Sequence, residues 1–419
     1  MTIEIMAGTT AHLPSGSPLD FVQNAKPVPT KTMNIVFLTH PEFLGHVSLP
    51  RFAGMLFDGM RERGHKVQYL SPKARFVNLT KSKVAKKWLG YIDQYLIFPG
   101  EVKRSLKNYP SDTLFVFTDN ALGPWVPLLA HRPHVIHCHD FMAQQSALGM
   151  IVENPTRWSG RKYQKMIVDG YCKGRNFISG SENTRKVLQK FISCDTLRSE
   201  LVYNGLHQSF EQFDPGISRA VVGKEFGLEL SKGYLLHVGG NQWYKNRTGV
   251  IEMYDSWRSR TEMTLPLVLV GLPPTAEIMK TYSSSAYKTD IHFVTNAKDR
   301  IMNLTYSGAS VFLFPSKAEG FGWPAAEAMA SGCPVITTNE APMTEVAGTA
   351  GFLIPKKPHQ QSLTAAWAQE AGAMIEKVLT MSYAERQSVI DAGLANAKRF
   401  DTDKALDRIE SIYLDIVRS

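Results

Sequence analysis

The densest concentration of residues capable of chemistry lies between positions 314 and 334. Glu319 and Glu327 stand eight positions apart, and Gly320 and Gly322 lie between them. An apolar run precedes this segment, which predicts a strand, a glycine-containing loop and then the start of a helix. Such a loop forms an anion site, because backbone N–H groups and the positive end of the helix dipole point at the ligand. Carboxylates beside it would receive hydrogen bonds from hydroxyls, so the sequence predicts a site for a sugar joined to a nucleotide diphosphate.

A second group of functional side chains ends in Asp140. Its other members are His131, His134, His137, Cys138 and His139. His137 and His139 would share one face of a strand, and imidazoles suit zinc, so a metal site is one interpretation. A mixture of core and cleft positions is the alternative that we favour, because the other histidines precede the strand.

These residues must be positioned by a regular alternation of strands and helices. The N-terminal half contains six short β-branched or aromatic runs, and the C-terminal half repeats the rhythm after about residue 205. Nearly continuous apolar strands alternating with helices favour a parallel sheet covered on both faces. We therefore predict an α/β protein with two doubly wound, Rossmann-like domains and a ligand in the cleft between them. The predicted strands lie at 35–38, 67–70, 114–118, 135–138, 176–179, 201–203, 234–238, 267–270, 291–294, 311–314, 335–337 and 352–354.

Several classes of protein are disfavoured by what the sequence lacks. No G-x-G-x-x-G follows the first strand and no Walker loop occurs, so a dinucleotide-dependent dehydrogenase or a P-loop enzyme is unsupported. The four cysteines form no C-x-x-C pair, which argues against a disulfide framework or a thiolate zinc site and favours reduced cysteines (Cys138, Cys172, Cys194 and Cys333). We expect no membrane span and no export signal, and hence a cytoplasmic protein.

The positive charge of the chain is concentrated in one stretch. The formal net charge is +9, and residues 61–110 contain 12 Lys+Arg against 3 Asp+Glu. Within this stretch, lysines alternate with aromatic and aliphatic residues, which is typical of a surface that contacts anionic lipid. A solvated basic helix is the alternative of equal weight, and nucleic acid is the weakest because no nucleic-acid motif accompanies the charge. We predict peripheral contact with an anionic membrane through residues 73–107, and no nucleic-acid partner.

The segment from Glu319 to Glu327 resembles the E-x7-E signature of retaining glycosyltransferases of family 4, which have the two-domain GT-B fold. The similarity extends from about Met33 to Phe400, with further landmarks in Arg63-Gly-His-Lys-Val, Val135-Ile-His-Cys-His-Asp, Ser179-Gly-Ser-Glu and Tyr203-Asn-Gly-Leu. It implies an acceptor domain over 33–205 and a donor domain over 206–395. Residues 1–32 are rich in Thr, Pro, Ser and Gly without periodicity, which predicts a loose extension. A last helix, 396–419, would return to the N-terminal domain.

The resemblance also implies roles for individual residues. Glu327 would hold the ribose of the donor nucleotide, and Glu319 with the amides around Phe321 and Gly322 would contact the transferred sugar. The loop 239–247 would place cations on the diphosphate. Its members are Gly240, Asn241, Lys245 and Arg247.

Some positions depart from the family pattern. Tyr244 or Asn241 stands where the family has an arginine, so Arg247 is a possible substitute. The first-strand loop has Gly45 alone, where paired glycines are usual. His139 would contact the transferred sugar, and Gly45 and Asp140 would bind the acceptor.

The function that follows from the resemblance is transfer of a hexose from a nucleotide-diphosphate sugar to an acceptor hydroxyl, with retention of configuration. Its acceptor would be a saccharide, a polysaccharide precursor or a lipid-linked glycan, and its donor a UDP-, GDP- or ADP-sugar. We expect no cofactor and no metal, so that Lys245 carries the charge of the leaving diphosphate. The alternatives are a non-catalytic nucleotide-sugar-binding or scaffold protein, and a phosphorylase or epimerase on the same fold.

Overall fold

The polypeptide forms two parallel sheets that stand side by side, each with helices on both faces. The computed structural model of the protein describes residues 31–45, 48–192, 196–206 and 210–419. Most of the predicted loose extension, and Cys194, therefore lie outside the described residues. Within the described part of the chain, every helix is too short or too polar to cross a bilayer.

The N-terminal sheet is built around inner strands that are buried on both faces. Among the described residues it has six strands: β1 (Asn34–Leu38), β2 (Lys66–Leu70), β3 (Leu114–Phe117), β4 (His134–Cys138), β5 (Asn176–Ser179) and β6 (Arg198–Leu201). Their order is β2-β1-β3-β4-β5-β6, and all the pairs are parallel. The central strands β3, β4 and β5 are buried along their whole length, as expected when helices cover both faces.

Helices alternate with these strands. They are α1 (Ser48–Glu62), α2 (Lys83–Ile92), α3 (Phe98–Ser105), α4 (Met142–Ala147), α5 (Trp158–Tyr171) and α6 (Glu182–Phe191). A π-helical turn, Asp93–Ile97, connects α2 to α3. The start of α6 is fixed by Ser181, whose hydroxyl accepts a hydrogen bond from the N–H of Thr184.

The C-terminal sheet repeats this architecture. Its six strands in the described chain are β7 (Leu235–Val238), β8 (Leu267–Gly271), β9 (Ile291–Thr295), β10 (Val311–Phe314), β11 (Val335–Thr338) and β12 (Phe352–Ile354). Their order is β12-β11-β10-β7-β8-β9, again parallel throughout. Strands β7 and β10 are neighbours, so the loops that follow them meet at one edge of the sheet.

The helices of the C-terminal half include the last element of the chain. They are α7 (Pro215–Phe226), α8 (Arg247–Arg258), α9 (Ala276–Ser284), α10 (Asp299–Gly308), α11 (Trp323–Ala330), α12 (Met343–Ala347), α13 (Gln361–Leu379), α14 (Tyr383–Ala397) and α15 (Thr402–Arg418). Helix α15 returns to the N-terminal sheet, where Ile409, Ile412 and Tyr413 are buried against β1 and β3. Their three-to-four spacing gives the helix one apolar face.

The predicted fold class is confirmed, and most strands begin and end within one residue of the prediction. The sixth strand differs: apolar residues 201–203 were expected to form it, but the strand is Arg198–Leu201. It lies at the edge of the sheet and is half-buried, so polar residues are tolerated there. Val202, which supplied the apolar signal, is buried just beyond the end of the strand.

Candidate functional site

Two loops of the C-terminal domain converge at the carboxyl edge of its sheet. The loop after β7 carries Lys245, and the loop after β10 carries Glu319. The N–H of Lys317 donates to the carbonyl of Tyr244 at 2.7 Å, which ties the loops together. The Lys245 ammonium then reaches the Glu319 carboxylate at 2.8 Å. Two of the three residues predicted to be catalytic are therefore in direct contact.

The ion pair between Lys245 and Glu319 is largely shielded from water. The side chains retain 14% and 8% of their exposure, and the ammonium lies 5.1 Å from the ring centre of Phe314. A partly desolvated cation interacts more strongly with an anion than an exposed one does. A diphosphate bound here would contact the Lys245 ammonium in its present position. It would either displace the Glu319 carboxylate from Lys245 or bind beside it.

The glycine loop between Glu319 and α11 has the backbone expected of an anion-binding turn. Gly322 has φ +108°, a conformation that disfavours side chains with a Cβ, and it immediately precedes α11. The helix begins at Trp323, so Pro324 occupies its second position, where a missing N–H costs no hydrogen bond. The Phe321 ring is buried against Phe400 at 5.2 Å between ring centres. The Phe321 ring therefore does not face a ligand, and the predicted contact through its backbone stays a prediction.

Glu327 lies inside α11 beside a buried tyrosine. The hydroxyl of Tyr306 donates to the Glu327 carboxylate at 2.8 Å. Burial raises the pKa of Glu327, while the hydrogen bond from Tyr306 and the charges of Arg51 and Lys245 oppose that rise. A carboxylate fixed on one side by Tyr306 can accept further hydrogen bonds on its other side, as ribose hydroxyls would need.

Arg247 is placed differently from what a phosphate ligand would suggest. It is the first residue of α8 and only 3% exposed, and its guanidinium hydrogen-bonds to Asn241 and to the Leu272 carbonyl. Two of its nitrogens, Nε and Nη2, are buried without a hydrogen-bond partner in the described residues. Burial lowers the pKa of Arg247. Its role at the diphosphate stays a prediction.

The other predicted residues of the loop after β7 are held by neighbouring backbone. The side-chain amide of Asn241 donates to the Pro273 carbonyl at 2.6 Å. Gly240 adjoins it at the same edge, and a Cβ there would come within 2.4 Å of the Gln242 side chain. The Asn241 contact ties this loop to the segment that follows β8.

The N-terminal domain supplies the opposite wall. His139 follows β4, and its Nε2 donates to the Thr118 carbonyl at 2.9 Å, which leaves Nδ1 as an acceptor that is buried and without a partner in the described residues. Burial lowers the pKa of His139. The ring is packed edge-on against Phe52 at 4.4 Å. His139 is therefore a neutral side chain of fixed orientation, and its predicted contact with the sugar stays a prediction.

Asp140 and Gly45, the predicted acceptor residues, lie at the same carboxyl edge. One Asp140 oxygen accepts from the N–H of Met142 at 3.0 Å, and burial raises the pKa of Asp140 to about 6. The negative charges of Asp119 and Glu319 add to the rise. Gly45 has φ +66° and ends a short 3-10 turn, Glu42–Leu44. A Cβ at Gly45 would contact none of the described residues.

The two domains touch through the glycine loop itself. The Gly320 carbonyl accepts hydrogen bonds from the hydroxyls of Ser181 (2.8 Å) and Thr184 (3.2 Å), both at the start of α6. A Cβ at Gly320 would lie 2.3 Å from the His139 carbonyl oxygen, closer than atoms can approach. The structure thus brings Glu319 and His139 to one place, on opposite sides of a contact that only glycine permits.

A second contact between the domains was missed by the sequence analysis. Both oxygens of the Glu345 carboxylate accept hydrogen bonds from the N–H groups of Glu182 and Asn183, each at 2.8 Å. A carboxylate from one domain therefore occupies the helix N-terminus of the other, where the dipole favours negative charge. Arg51 and Asp299 add an exposed ion pair across the cleft at 3.0 Å. These residues are far apart in the sequence, and no local pattern marks them.

His137 does not join its neighbours in a metal site. Its Nε2 lies 2.6 Å from the Tyr413 hydroxyl in the core, and burial lowers its pKa to about 3. In residues 31–45, 48–192, 196–206 and 210–419, the His, Cys, Asp and Glu side chains form no group of three that could hold a metal ion. The mixture of core and cleft positions is the interpretation that the contacts favour.

Two Rossmann-like domains that face each other across a cleft are the architecture of the GT-B fold. Residues 222–370 match the family described as "Glycosyl transferases group 1". The resemblance stated from the sequence is therefore confirmed. Membership of family 4 stays a prediction.

Solved structures share the fold over most of the chain at low sequence identity. The Anabaena protein HepE in complex with UDP and glucose matches with a TM-score of 0.66 and 16% identity, covering 91% of this chain and 99% of the other. WaaG, a glycosyltransferase involved in lipopolysaccharide biosynthesis, gives 0.66 and 16% over 90% and 99%. Sucrose-phosphate synthase from Thermosynechococcus elongatus gives 0.68 and 16% over 92% and 99%.

Sequence relatives match over a shorter length. The Escherichia coli O-antigen chain mannosyltransferase B is 31% identical over 124 residues, which are 29% of this chain and 32% of the relative. The MMP alpha-(1->4)-mannosyltransferase of Mycolicibacterium hassiacum is 33% identical over 95 residues, 22% and 23% of the two chains. The chain thus matches about a third or less of the length of each curated relative.

Proposed function

We propose that the protein is a retaining glycosyltransferase that moves a hexose from a nucleotide-diphosphate sugar to an acceptor hydroxyl. The observation that carries the proposal is the contact of Lys245 with Glu319 beside the glycine loop and the start of α11. A cation, a carboxylate and a helix N-terminus at one point match a ligand that combines phosphates with hydroxyls. Mannose is the first sugar to test, because the names of both curated relatives are those of mannosyltransferases.

In the proposed reaction, the bond between the anomeric carbon and the diphosphate oxygen breaks while a bond to the acceptor oxygen forms on the same face. The acceptor proton passes to the departing phosphate oxygen. Lys245 would stabilise the charge that develops on the diphosphate, and Glu319 would orient the sugar through its hydroxyls. The glycine loop and the start of α6 would exclude water from the reacting atoms, which limits hydrolysis of the donor.

Thermal melting with nucleotides tests the donor site. We expect UDP, GDP or ADP, or one of their hexose conjugates, to raise the melting temperature, and Glu327→Ala to abolish the shift. A ligand at 100 times its dissociation constant adds about 2.7 kcal/mol of stability. Absence of a shift with all of them would overturn the proposal. A shift without sugar transfer would favour the scaffold alternative. Transfer without retained configuration, which NMR of the anomeric proton would detect, would favour another enzyme of this fold.

Peripheral contact with a membrane is a second part of the proposal. Val84 and Trp88 lie one turn apart on α2 and are 72% and 60% exposed, and Lys87 adjoins them. Large apolar side chains beside lysines suit the boundary between acyl chains and anionic headgroups. We expect the protein to float with vesicles containing phosphatidylglycerol, and less with phosphatidylcholine alone. Trp88→Ser should weaken flotation, and Tyr383→Ser, which removes a still more exposed aromatic (84%) on the other domain, should not. Equal flotation of both variants would contradict this contact.

A further inference from the structure

A large cleft opens in the N-terminal domain beside the donor loops. Its volume is about 590 Å³, which falls in the range of small-molecule sites. It is bounded by α2, by α5 and by the residues that follow β1, β3 and β4. Asp140 lines this cleft and also lines the polar cavity that contains Glu319, so the two spaces meet at Asp140. The cleft therefore leads from the protein surface to the proposed reaction centre.

The floor of the cleft is a buried pair of hydrogen-bonding side chains. His40 Nε2 and the Asp119 carboxylate are 2.7 Å apart, and both are about nine-tenths buried. Burial would raise the pKa of Asp119, but the hydrogen bond and charge of His40 outweigh it and the pKa is lowered. The carboxylate is thus ionised at neutral pH and fixed by His40. An ionised carboxylate held in this way can accept a hydrogen bond from a saccharide hydroxyl in a set geometry.

One wall of the cleft is aromatic. The rings of Tyr91 and Tyr163 are stacked with 5.5 Å between centres, and the hydroxyls of Tyr95 and Tyr163 are 2.7 Å apart. Apolar faces edged with hydroxyls match the two kinds of surface that a sugar ring presents, its C–H faces and its equatorial hydroxyls.

The mouth of the cleft has the opposite charge to its floor. Lys86 and Lys87 of α2 line it and are exposed, whereas Asp119 is buried and Asp140 is half-buried. An anionic group would be repelled by the two carboxylates and attracted by the two lysines, so it has one favourable orientation. A ligand with hydroxyls at one end and negative charge at the other fits this gradient.

We infer that this cleft binds the acceptor, and that the acceptor is a saccharide bearing a phosphate group. A hydroxyl would lie on the His40–Asp119 pair near Asp140, and the phosphate would lie at Lys86 and Lys87. The inference rests on the proposed function for the identity of the bound saccharide as acceptor. A free sugar phosphate and a lipid-linked saccharide diphosphate present the same chemistry to these groups.

Ligand-observed NMR with defined sugars tests the assignment. The probes are mannose and glucose, their 1- and 6-phosphates, and the same hexoses joined through a diphosphate to a decyl chain. We expect a phosphorylated probe to bind about tenfold more tightly than its neutral sugar, the gain that two lysines at a surface site can give. A preference for a 6- or 1-phosphate would identify a free sugar phosphate, and a preference for the decyl diphosphates a lipid-linked saccharide.

Matched variants separate the roles within the cleft. Lys86→Ala/Lys87→Ala should remove the preference for phosphate, and Lys103→Ala/Lys107→Ala, in the same basic segment but outside the cleft, should keep it. Asp119→Asn should weaken the binding of neutral and of phosphorylated sugars by the same factor. Equal binding of neutral and phosphorylated sugars, a preference that survives Lys86→Ala/Lys87→Ala, or no binding of any probe would overturn the inference.

The nucleotide melting experiment distinguishes this failure from failure of the proposed function. Nucleotide binding with no preference for phosphorylated sugars would support the donor site and contradict the assignment of the cleft to a phosphorylated acceptor. Preference for phosphorylated sugars without nucleotide binding would support a site for saccharide phosphates in the cleft and contradict the proposed transferase function.

Discussion

The proposed donor side and the proposed acceptor side of the cleft are organised in opposite ways. On the donor side, Lys245 and Glu319 neutralise each other at 2.8 Å, and the groups come from adjacent strand ends of one sheet. On the acceptor side, a cleft of about 590 Å³ carries acidic groups at its floor and lysines at its mouth. A preformed ion pair suits one invariant ligand, a nucleotide diphosphate, whereas a graded open cleft can be adapted to different acceptors. The comparison predicts that substitutions on the donor side abolish activity and that those on the acceptor side change selectivity.

The largest effect is expected for Lys245→Ala. Loss of the cation that is proposed to face the diphosphate should lower kcat by about 10²–10³-fold, the range seen when one preorganised charge-stabilising group is removed. Steady-state transfer from the best donor measures it. Lys356→Ala removes an exposed lysine at the rim that pairs with Glu340, and should leave kcat within about twofold. An equal loss of kcat in both variants would contradict the special role of Lys245 relative to lysines at the rim.

Gly320→Ala should disturb both sides at once. The added Cβ would meet the His139 carbonyl oxygen at 2.3 Å, so the glycine loop and the N-terminal domain must separate. We expect kcat to fall by more than tenfold while the nucleotide still binds, because Glu327 and α11 stay in one domain. The control is Gly54→Ala in α1, where a Cβ would contact none of the described residues. A Gly320→Ala enzyme of normal kcat would show that the contact is dispensable.

Glu345→Gln tests how firmly the two sides are joined. The carboxylate accepts from two N–H groups, and a glutamine would present an NH₂ to one of them. Stability should fall by about 2 kcal/mol, the value of a hydrogen bond to a charged group. Urea unfolding measures it, with Glu340→Gln, which loses only an exposed ion pair, as the comparison. Matching losses in the two variants would argue against a special contact at α6.

The smallest effect is expected for Asp140→Asn and depends on pH. Since burial raises the pKa of Asp140 to about 6, the folded protein binds a proton there more tightly than the unfolded chain does. Its ionisation therefore costs stability as the pH rises from about 4 to about 6, and that cost persists above pH 6. Asp140→Asn should be more stable than the wild type by about 1–2 kcal/mol at pH 7.5 and nearly equal at pH 4. Urea unfolding at both pH values checks this, and the exposed Asp112→Asn should show no such difference.

Much of the donor side could be predicted from the sequence because its signals are local. Glu319, Gly322 and Glu327 fall within one strand, loop and helix, so their spacing fixes their relation. Lys245 follows the adjacent parallel strand, and parallel strands end at a common edge. The sequence could not predict that Arg247 is turned into the domain, because its partners Asn241 and Leu272 surround it only after α8 and β8 have packed.

The acceptor side was less predictable because its groups come from separate segments. His40 and Asp119 follow neighbouring strands β1 and β3, and this strand order was the one signal that could have joined them. Glu345 and the start of α6 are 163 residues apart in the chain and meet only across the cleft. Lys86 and Lys87 were recognised as basic, but the sequence did not distinguish a membrane surface from the mouth of a cleft.

The sequence by itself determined the two-domain α/β fold, the alternation of strands and helices, and the strand–loop–helix that carries Glu319 and Glu327. These follow from hydrophobic periodicity and from glycine and proline positions, which act over a few residues. Only the tertiary structure decided which side chains face each other: Lys245 with Glu319, His40 with Asp119 and Glu345 with the start of α6. Those pairs depend on the packing of distant segments, and the free energy that selects them resides in burial and charge that no local pattern contains.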